Sequence, residues 1–183
     1  MAENIQDKLQ QALHFHQQGQ LTEAKALYQK ILQAHPGHPD GLYFWGTLEY
    51  QAQNYPLAIE LLVSAIEGMP NNPDFYYALG HVLQAVNHYQ EALESYEKVI
   101  AMRPTYAEAH NSRGFVLYTL NRPDEALESF DKAIALFPDF AEAYSNRGVL
   151  LNEMKQFEFA LKNFEKALQL NPSFVETYSN IGL

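Results

Sequence analysis

Apolar residues in this chain recur three and four apart in short blocks, as in Ala92, Leu93, Tyr96, Val99 and Ile100. That spacing puts them along one face of a helix. The blocks themselves recur. Pro36, Pro70, Pro104, Pro138 and Pro172 stand 34 residues apart, and so do Gly46, Gly80, Gly114, Gly148 and Gly182, with Ala12 one period earlier. Ala24, Ala58, Ala92, Ala126 and Ala160 form a third comb, and Tyr28, Leu62, Tyr96, Phe130 and Phe164 a fourth. Four registers sharing one period mark a repeat array.

The period divides the chain into units 5–38, 39–72, 73–106, 107–140 and 141–174, and residues 175–183 restart the pattern as the first helix of an incomplete sixth unit. Each unit predicts two antiparallel helices, A and B. Pro39 and Pro73 suit a first helical position, and Asp40, Asp74, Glu108 and Glu142 are favoured there by the helix dipole. Helix A is expected to end near Asn87 or Asn121, which tolerate a left-handed turn, and helix B before the comb proline. Gly46, Gly80, Gly114 and Gly148 fall mid-helix, where glycine costs about 1 kcal/mol against alanine. Their fixed spacing predicts a close approach of helix B, with the alanine comb facing the gap.

Large residue, Leu-Gly, Tyr, Ala, Phe, Ala and Pro at set offsets resemble the tetratricopeptide repeat family. The third unit carries Tyr76, Leu79, Gly80, Ala92, Tyr96 and Pro104; the fifth carries Tyr144, Gly148, Ala160, Phe164, Ala167 and Pro172. Departures are Lys8 and Gln11 in the first unit, and Arg113 and Arg147 in place of the Leu before Gly. The resemblance implies an all-α fold, a right-handed superhelical solenoid of antiparallel helix pairs.

Composition narrows the function. The 183 residues hold no cysteine, which removes disulfides and thiol chemistry, and no apolar run approaches the ~18 residues of a membrane span. The start, Met-Ala-Glu-Asn-Ile-Gln-Asp-Lys, lacks a basic region followed by an apolar one, so a soluble, cytoplasmic protein is the expectation. Of the formal charge of −10, −8 lies between Lys30 and Lys98, a stretch without Lys or Arg. Such a segment repels phosphate, so neither a nucleic acid nor an anionic membrane is an expected partner.

Seven histidines are present. His14 and His16 point in different directions on a predicted helix, His35 and His38 flank a Pro-Gly turn, and His81, His88 and His110 are isolated. Neither a His-Glu-x-x-His segment nor a glycine-rich phosphate loop occurs. The carboxylates are scattered as on solvated faces. No catalytic residue, metal site or cofactor is expected, and the chain reads as a non-enzyme.

In the family, helix A lines the inner surface, and its second, fifth, sixth, ninth, twelfth and thirteenth positions are exposed there. These are, in the second unit, Asp40, Tyr43, Phe44, Thr47, Tyr50 and Gln51; in the third, Asp74, Tyr77, Ala78, His81, Gln84 and Ala85; in the fourth, Glu108, Asn111, Ser112, Phe115, Tyr118 and Thr119; in the fifth, Glu142, Ser145, Asn146, Val149, Asn152 and Glu153. Relatives that clamp a C-terminal carboxylate use Lys, Arg and Asn at the first four of these positions. Here none is Lys or Arg, so no such clamp is expected. Tyr43, Phe44, Tyr50, Tyr77, Phe115 and Tyr118, rimmed by Asp40, Asp74 and Glu108 and joined by His81, Asn111 and Asn146, imply an aromatic trough. It suits a peptide with apolar anchors and Lys or Arg. The competing reading is that the rings fill space between helices.

Two alternatives accompany this interaction-module reading. Ala143-Tyr144-Ser145-Asn146-Arg147-Gly148 and Thr177-Tyr178-Ser179-Asn180-Ile181-Gly182 are similar to the asparagine ladder of repeat arrays that precede O-linked N-acetylglucosamine transferases. That likeness implies the substrate-recruiting front of a longer protein-modifying enzyme, with Asn146 on a ladder that meets a peptide backbone; Asn111 stands one position early, with Ser112 at the sixth, and Ala78 and Phe44 break the ladder before it. The restarted pattern at 175–183 leaves Tyr178, Ile181 and Leu183 without a covering helix, which suggests either a fragment or an end-to-end homo-oligomer.

Overall fold

The computed structural model describes residues 4–173. These are all-α, with ten helices: α1 Ile5–Gln17, α2 Leu21–Ala34, α3 Pro39–Gln51, α4 Tyr55–Gly68, α5 Pro73–Ala85, α6 Tyr89–Met102, α7 Ala107–Thr119, α8 Pro123–Leu136, α9 Ala141–Glu153 and α10 Phe157–Leu170. Odd-numbered helices are the A helices of the repeat and even-numbered ones the B helices. The chain forms two compact units, Met1–His88 with α1–α5 and Tyr89–Leu183 with α6–α10. The predicted segment 175–183, and with it the expected contact between copies, lies outside the described residues.

Local chemistry sets the helix ends. Pro39 and Pro73 open α3 and α5, and Asp40 and Asp74 lie in their first turns. Asn4 and Asn72 cap α1 and α5 through their side chains. At α3 the cap is His38, whose Nδ1 accepts the Gly41 N–H at 3.3 Å. Each A helix closes in the same way, as α3 shows: Asn54 N–H donates to the Glu49 carbonyl at 2.8 Å and Gln53 N–H to that of Tyr50 at 2.9 Å. The residue between is left-handed, with φ of 61° at Asn87 and 58° at Asn121, as their identity predicts. Gln53 (59°) and Lys155 (60°) adopt the same conformation without the help of an Asn side chain.

Within the first unit α1 packs on α2, α3 on α4, and α2 and α4 on the A helix that follows; within the second, α7 packs on α8, α9 on α10, and α6 and α8 likewise on the next A helix. The core is a string of small clusters. One gathers Leu9, Ala12, Ala24, Tyr28, Ile31 and Leu48; another Leu32, Leu42, Leu61, Ala65 and Phe75; a third Ala58, Leu62 and Val82. In the second unit Leu151, Ala160 and Phe164 form a corresponding group.

The mid-helix glycines permit a close approach of helix B. A Cβ on Gly114 would lie 2.6 Å from the Phe130 ring and one on Gly148 2.5 Å from the Phe164 ring. One on Gly46 would lie 2.9 Å from Leu62 and 3.4 Å from the Ala58 carbonyl, so the alanine comb faces the gap there while the longer side chain of the fourth comb arrives first. Ala126 and Ala160 are buried on the same helices, and it is the ring that reaches across.

Candidate functional site

In the first unit, α3 carries most of the candidate face, and a buried carboxylate fixes how it sits. Glu49 is 1% exposed, at a repeat position where Leu83, Leu117 and Leu151 stand in later units. Its Oε1 accepts from Trp45 Nε1 at 2.7 Å and pairs with Lys25 Nζ at 2.6 Å, while Oε2 accepts from Asn54 Nδ2 at 2.8 Å. Burial alone would raise its pKa. The hydrogen bonds from Lys25, Trp45 and Asn54, together with the Lys25 charge, outweigh that and hold it below the ordinary carboxylate range. The network ties α3 to α2 and to the start of α4.

Two hollows follow along the A helices. Between α1 and α3 a basin of about 500 Å³ is lined by Leu13, His16, Tyr43, Phe44, Thr47 and Gln51 among others. Between α3 and α5 a pocket of about 170 Å³ is lined by Thr47, Tyr50, Leu62, Ala78, His81 and Val82, almost wholly with apolar surface. Thr47 belongs to both. Its hydroxyl donates to the Phe44 carbonyl at 2.9 Å, so its donor is already used.

The rings play both roles that the sequence left open. Tyr43 stacks on buried Phe75 with centroids 4.8 Å apart, and Phe44 on buried Tyr28 at 6.3 Å, so each packs between helices while its half-buried remainder lines the basin. Tyr50 meets Tyr55 at 6.0 Å, and Tyr77 meets the His81 ring edge-on at 4.5 Å. Burial lowers the His81 pKa, which favours the neutral ring. Tyr28, its hydroxyl 3.4 Å from His16 Nδ1, has its pKa raised by burial. Asp40 and Asp74 are half-buried in the first turns of their helices, where the dipole favours them.

In the second unit the candidate residues engage one another. Asn111 is 3% exposed; its Nδ2 donates to Glu142 Oε1 at 2.9 Å, and its Oδ1 accepts from Asn146 Nδ2 at 3.0 Å. The Tyr118 hydroxyl donates to Glu153, and burial with that carboxylate pushes its pKa up to about 12. Phe115 is exposed at 36%, and Glu108 is exposed in the first turn of α7. His110, off this face, donates from Nε2 to the Pro104 carbonyl at 2.9 Å; burial lowers its pKa, and the Lys132 and Arg113 charges add to this.

Thus Asp40, Tyr43, Phe44, Tyr50, Asp74, Tyr77 and His81 belong to the first unit, and Glu108, Asn111, Phe115, Tyr118 and Asn146 to the second. Leu62 and Val82 line the pocket from beneath the expected inner positions, a contribution that sequence reasoning missed. The available signal was the small side chain of Ala78, at the position that Phe44 fills one repeat earlier. Among the described residues no group of three or more His, Asp or Glu side chains is placed to hold a metal ion. No described helix is long and apolar enough to cross a membrane.

Comparison with known proteins agrees with this architecture. Two family models of the tetratricopeptide repeat match residues 77–139 and 141–174, together more than half of the chain. A model of the anaphase-promoting complex, cyclosome, subunit 3 matches residues 17–99. No curated protein matches the chain. Among solved structures, MamA is 26% identical over 96% of this chain and 99% of that one, with a TM-score of 0.80. YrrB, described as a TPR protein with an unusual peptide-binding site, is 24% identical over 98% of this chain and 93% of that one, with a TM-score of 0.79. TTC0263, a thermophilic TPR protein of Thermus thermophilus, is 24% identical over 98% of this chain and 100% of that one, with a TM-score of 0.79. None of these matches supports the likeness to arrays linked to glycosyltransferases. The 34-residue period, the helix pairs and the two repeat models make this chain a member of the tetratricopeptide repeat family.

Proposed function

We propose that the chain is a non-catalytic interaction module, and that the A-helix face of its first unit binds a segment of a partner protein bearing apolar side chains and Lys or Arg. One observation carries this reading: the basin and the pocket meet at Thr47, forming a continuous ring-lined surface across α1, α3 and α5. Apolar area supplies most of the energy of such contacts. The charge sign follows from α3 to α5, which carry Asp40, Glu60, Glu67 and Asp74 besides the paired Glu49 and no Lys or Arg. The peptide-binding site ascribed to YrrB supports the reading, since that protein has the same fold. In the second unit, Asn111 and Asn146 are occupied with Glu142 and with each other.

Selection from a random peptide display library should yield ligands rich in Leu, Phe, Lys and Arg. Their affinity, read by fluorescence anisotropy, should fall as salt rises. Thr47→Arg, which places a cation where the two hollows meet, should weaken binding at least ~10-fold, about 1.4 kcal/mol, with helical circular dichroism unchanged. Ligands that bind Thr47→Arg and exposed-site Gln51→Arg as tightly as the wild type would place the contact elsewhere and defeat the proposal.

A further inference from the structure

The geometry points to the pocket between α3 and α5 as an apolar socket that takes one Leu, Met or Phe side chain from a partner whose neighbouring residues are basic. This rests on the peptide-binding reading above and deepens it. The socket exists because two facing positions are small. The sixth position of the repeat holds Phe44 on α3 but Ala78 on α5, and the ninth holds Thr47 on α3. With a methyl in place of a ring at Ala78, about 170 Å³ stands open above the fully buried Leu62 and Val82. An apolar protein cavity of ~150 Å³ accommodates benzene, so the volume suffices for a Leu, Met or Phe side chain.

The lining favours an apolar guest: Leu62, Ala78 and Val82 offer hydrocarbon, and the Thr47 hydroxyl already donates to a backbone carbonyl. A charged group would give up its water there. The basic flanks are argued from charge: the helices around the socket, α3 to α5, carry Asp40, Glu60, Glu67 and Asp74 besides the paired Glu49, and neither Lys nor Arg.

Two measurements test this, and the first needs no peptide. In methyl-labelled protein, toluene should shift the Ala78, Leu62 and Val82 methyl resonances saturably, and Ala78→Leu or the milder Thr47→Ile should abolish the effect while the melting curve holds. Shifts spread over the molecule, or unaltered by both variants, would overturn the socket. Second, in a selected peptide the anchor residue is varied. Leu or Phe should bind about 10- to 100-fold tighter than Ala. Peptide binding that is sensitive to Thr47→Arg but indifferent to anchor size and to Ala78→Leu would remove the socket and leave the interaction face. Toluene binding without any peptide ligand would do the reverse.

Discussion

The two units repeat one helical hairpin and solve the contact between repeats with opposite chemistry. At the seventh position the first unit has Trp45 and Leu79 after an initial Gln11, and the second Arg113 and Arg147; at the twenty-fifth, the first has Gln29 and Val63 where the second has Glu97 and Asp131. In the first unit Trp45 packs with the Leu61 cluster and, with Gln29, borders a hollow of about 410 Å³. In the second, Arg113 Nη1 donates to Ser129 Oγ at 2.6 Å and its Nε lies 3.6 Å from Glu97; Arg147 Nε donates to Asn163 Oδ1 at 2.9 Å and its Nη1 to Asp131. The A-helix faces follow suit. The first presents hollows lined by rings, whereas the second joins Asn111, Glu142 and Asn146, and Tyr118 with Glu153, into pairs of its own. An apolar interface leaves shape for a guest to fill; a polar one uses its hydrogen-bonding capacity to hold itself together.

The largest expected effect lies at the exception to that division, the buried Glu49 of the first unit. Glu49→Ala leaves a cavity and strips partners from Trp45 and Asn54, and should cost about 3 kcal/mol in urea unfolding. Glu49→Leu restores the residue type of the later units, and its partly exposed former partners can turn to water, so it should be nearly neutral. Acid titration separates the contributions. The folded pKa of Glu49 lies below its unfolded value, so its contribution is complete above the ordinary carboxylate range and is lost as pH falls through the folded pKa. His81 and His110 are also depressed. The unfolded chain therefore takes up their protons first, and stability should start to decline below about pH 6.5, before the carboxylate step. Glu49→Leu should shrink the lower step, leaving the share of Glu125, which Arg122 also holds low, and spare the upper; an unchanged acid limb would refute the assignment.

The fold was legible because it is written in residues whose role is local or fixed by the period. Pro39 and Pro73 begin helices, Asn87 and Asn121 turn the chain, and the glycine comb announces a close approach. What the period does not encode is which distant side chain arrives. Phe130, not Ala126, fills the approach to Gly114, because reach depends on side-chain length and not on register. Tyr43 and Phe44 are adjacent in sequence yet stack on Phe75 and Tyr28 respectively, so packing and lining could not be told apart from the pattern. Arg113 and Arg147 registered as departures from the family pattern, and their partners sixteen residues away on either side became visible only in three dimensions. The pocket was hidden for a similar reason, since a void is the absence of a side chain at Ala78 rather than the presence of a motif.

An intermediate effect is expected from exchanging one interface chemistry for the other. Arg147→Met removes the donor to Asn163, whose side chain is buried, and should cost about 1–2 kcal/mol. Lysine should not rescue it, because one ammonium does not reproduce the guanidinium's separate bonds to Asn163 and Asp131. Arg147→Leu combined with Asn163→Leu imitates the apolar contact around Trp45 and Leu61, and should recover most of the loss. A double-mutant cycle with no coupling between the two positions would show that the Arg147–Asn163 contact does not set the stability of this interface.

The smallest effect tests whether the units differ in side chains alone. Gln53 and Lys155 close A helices in different units with nearly the same left-handed backbone, at φ of 59° and 60°, and both are exposed. A side chain with no local hydrogen bond to offer pays a steric penalty there that glycine avoids, partly offset by the greater freedom glycine gives the unfolded chain. Gln53→Gly and Lys155→Gly should therefore each raise stability by about 0.5–1 kcal/mol, and Asn87→Ala and Asn121→Ala should each lower it by a similar amount. Equal gains in the two units would mean that one backbone turn serves both interfaces. A gain at Gln53 and none at Lys155 would mean that the polar network of the second unit also reshapes its turns, and the contrast would then extend to the main chain.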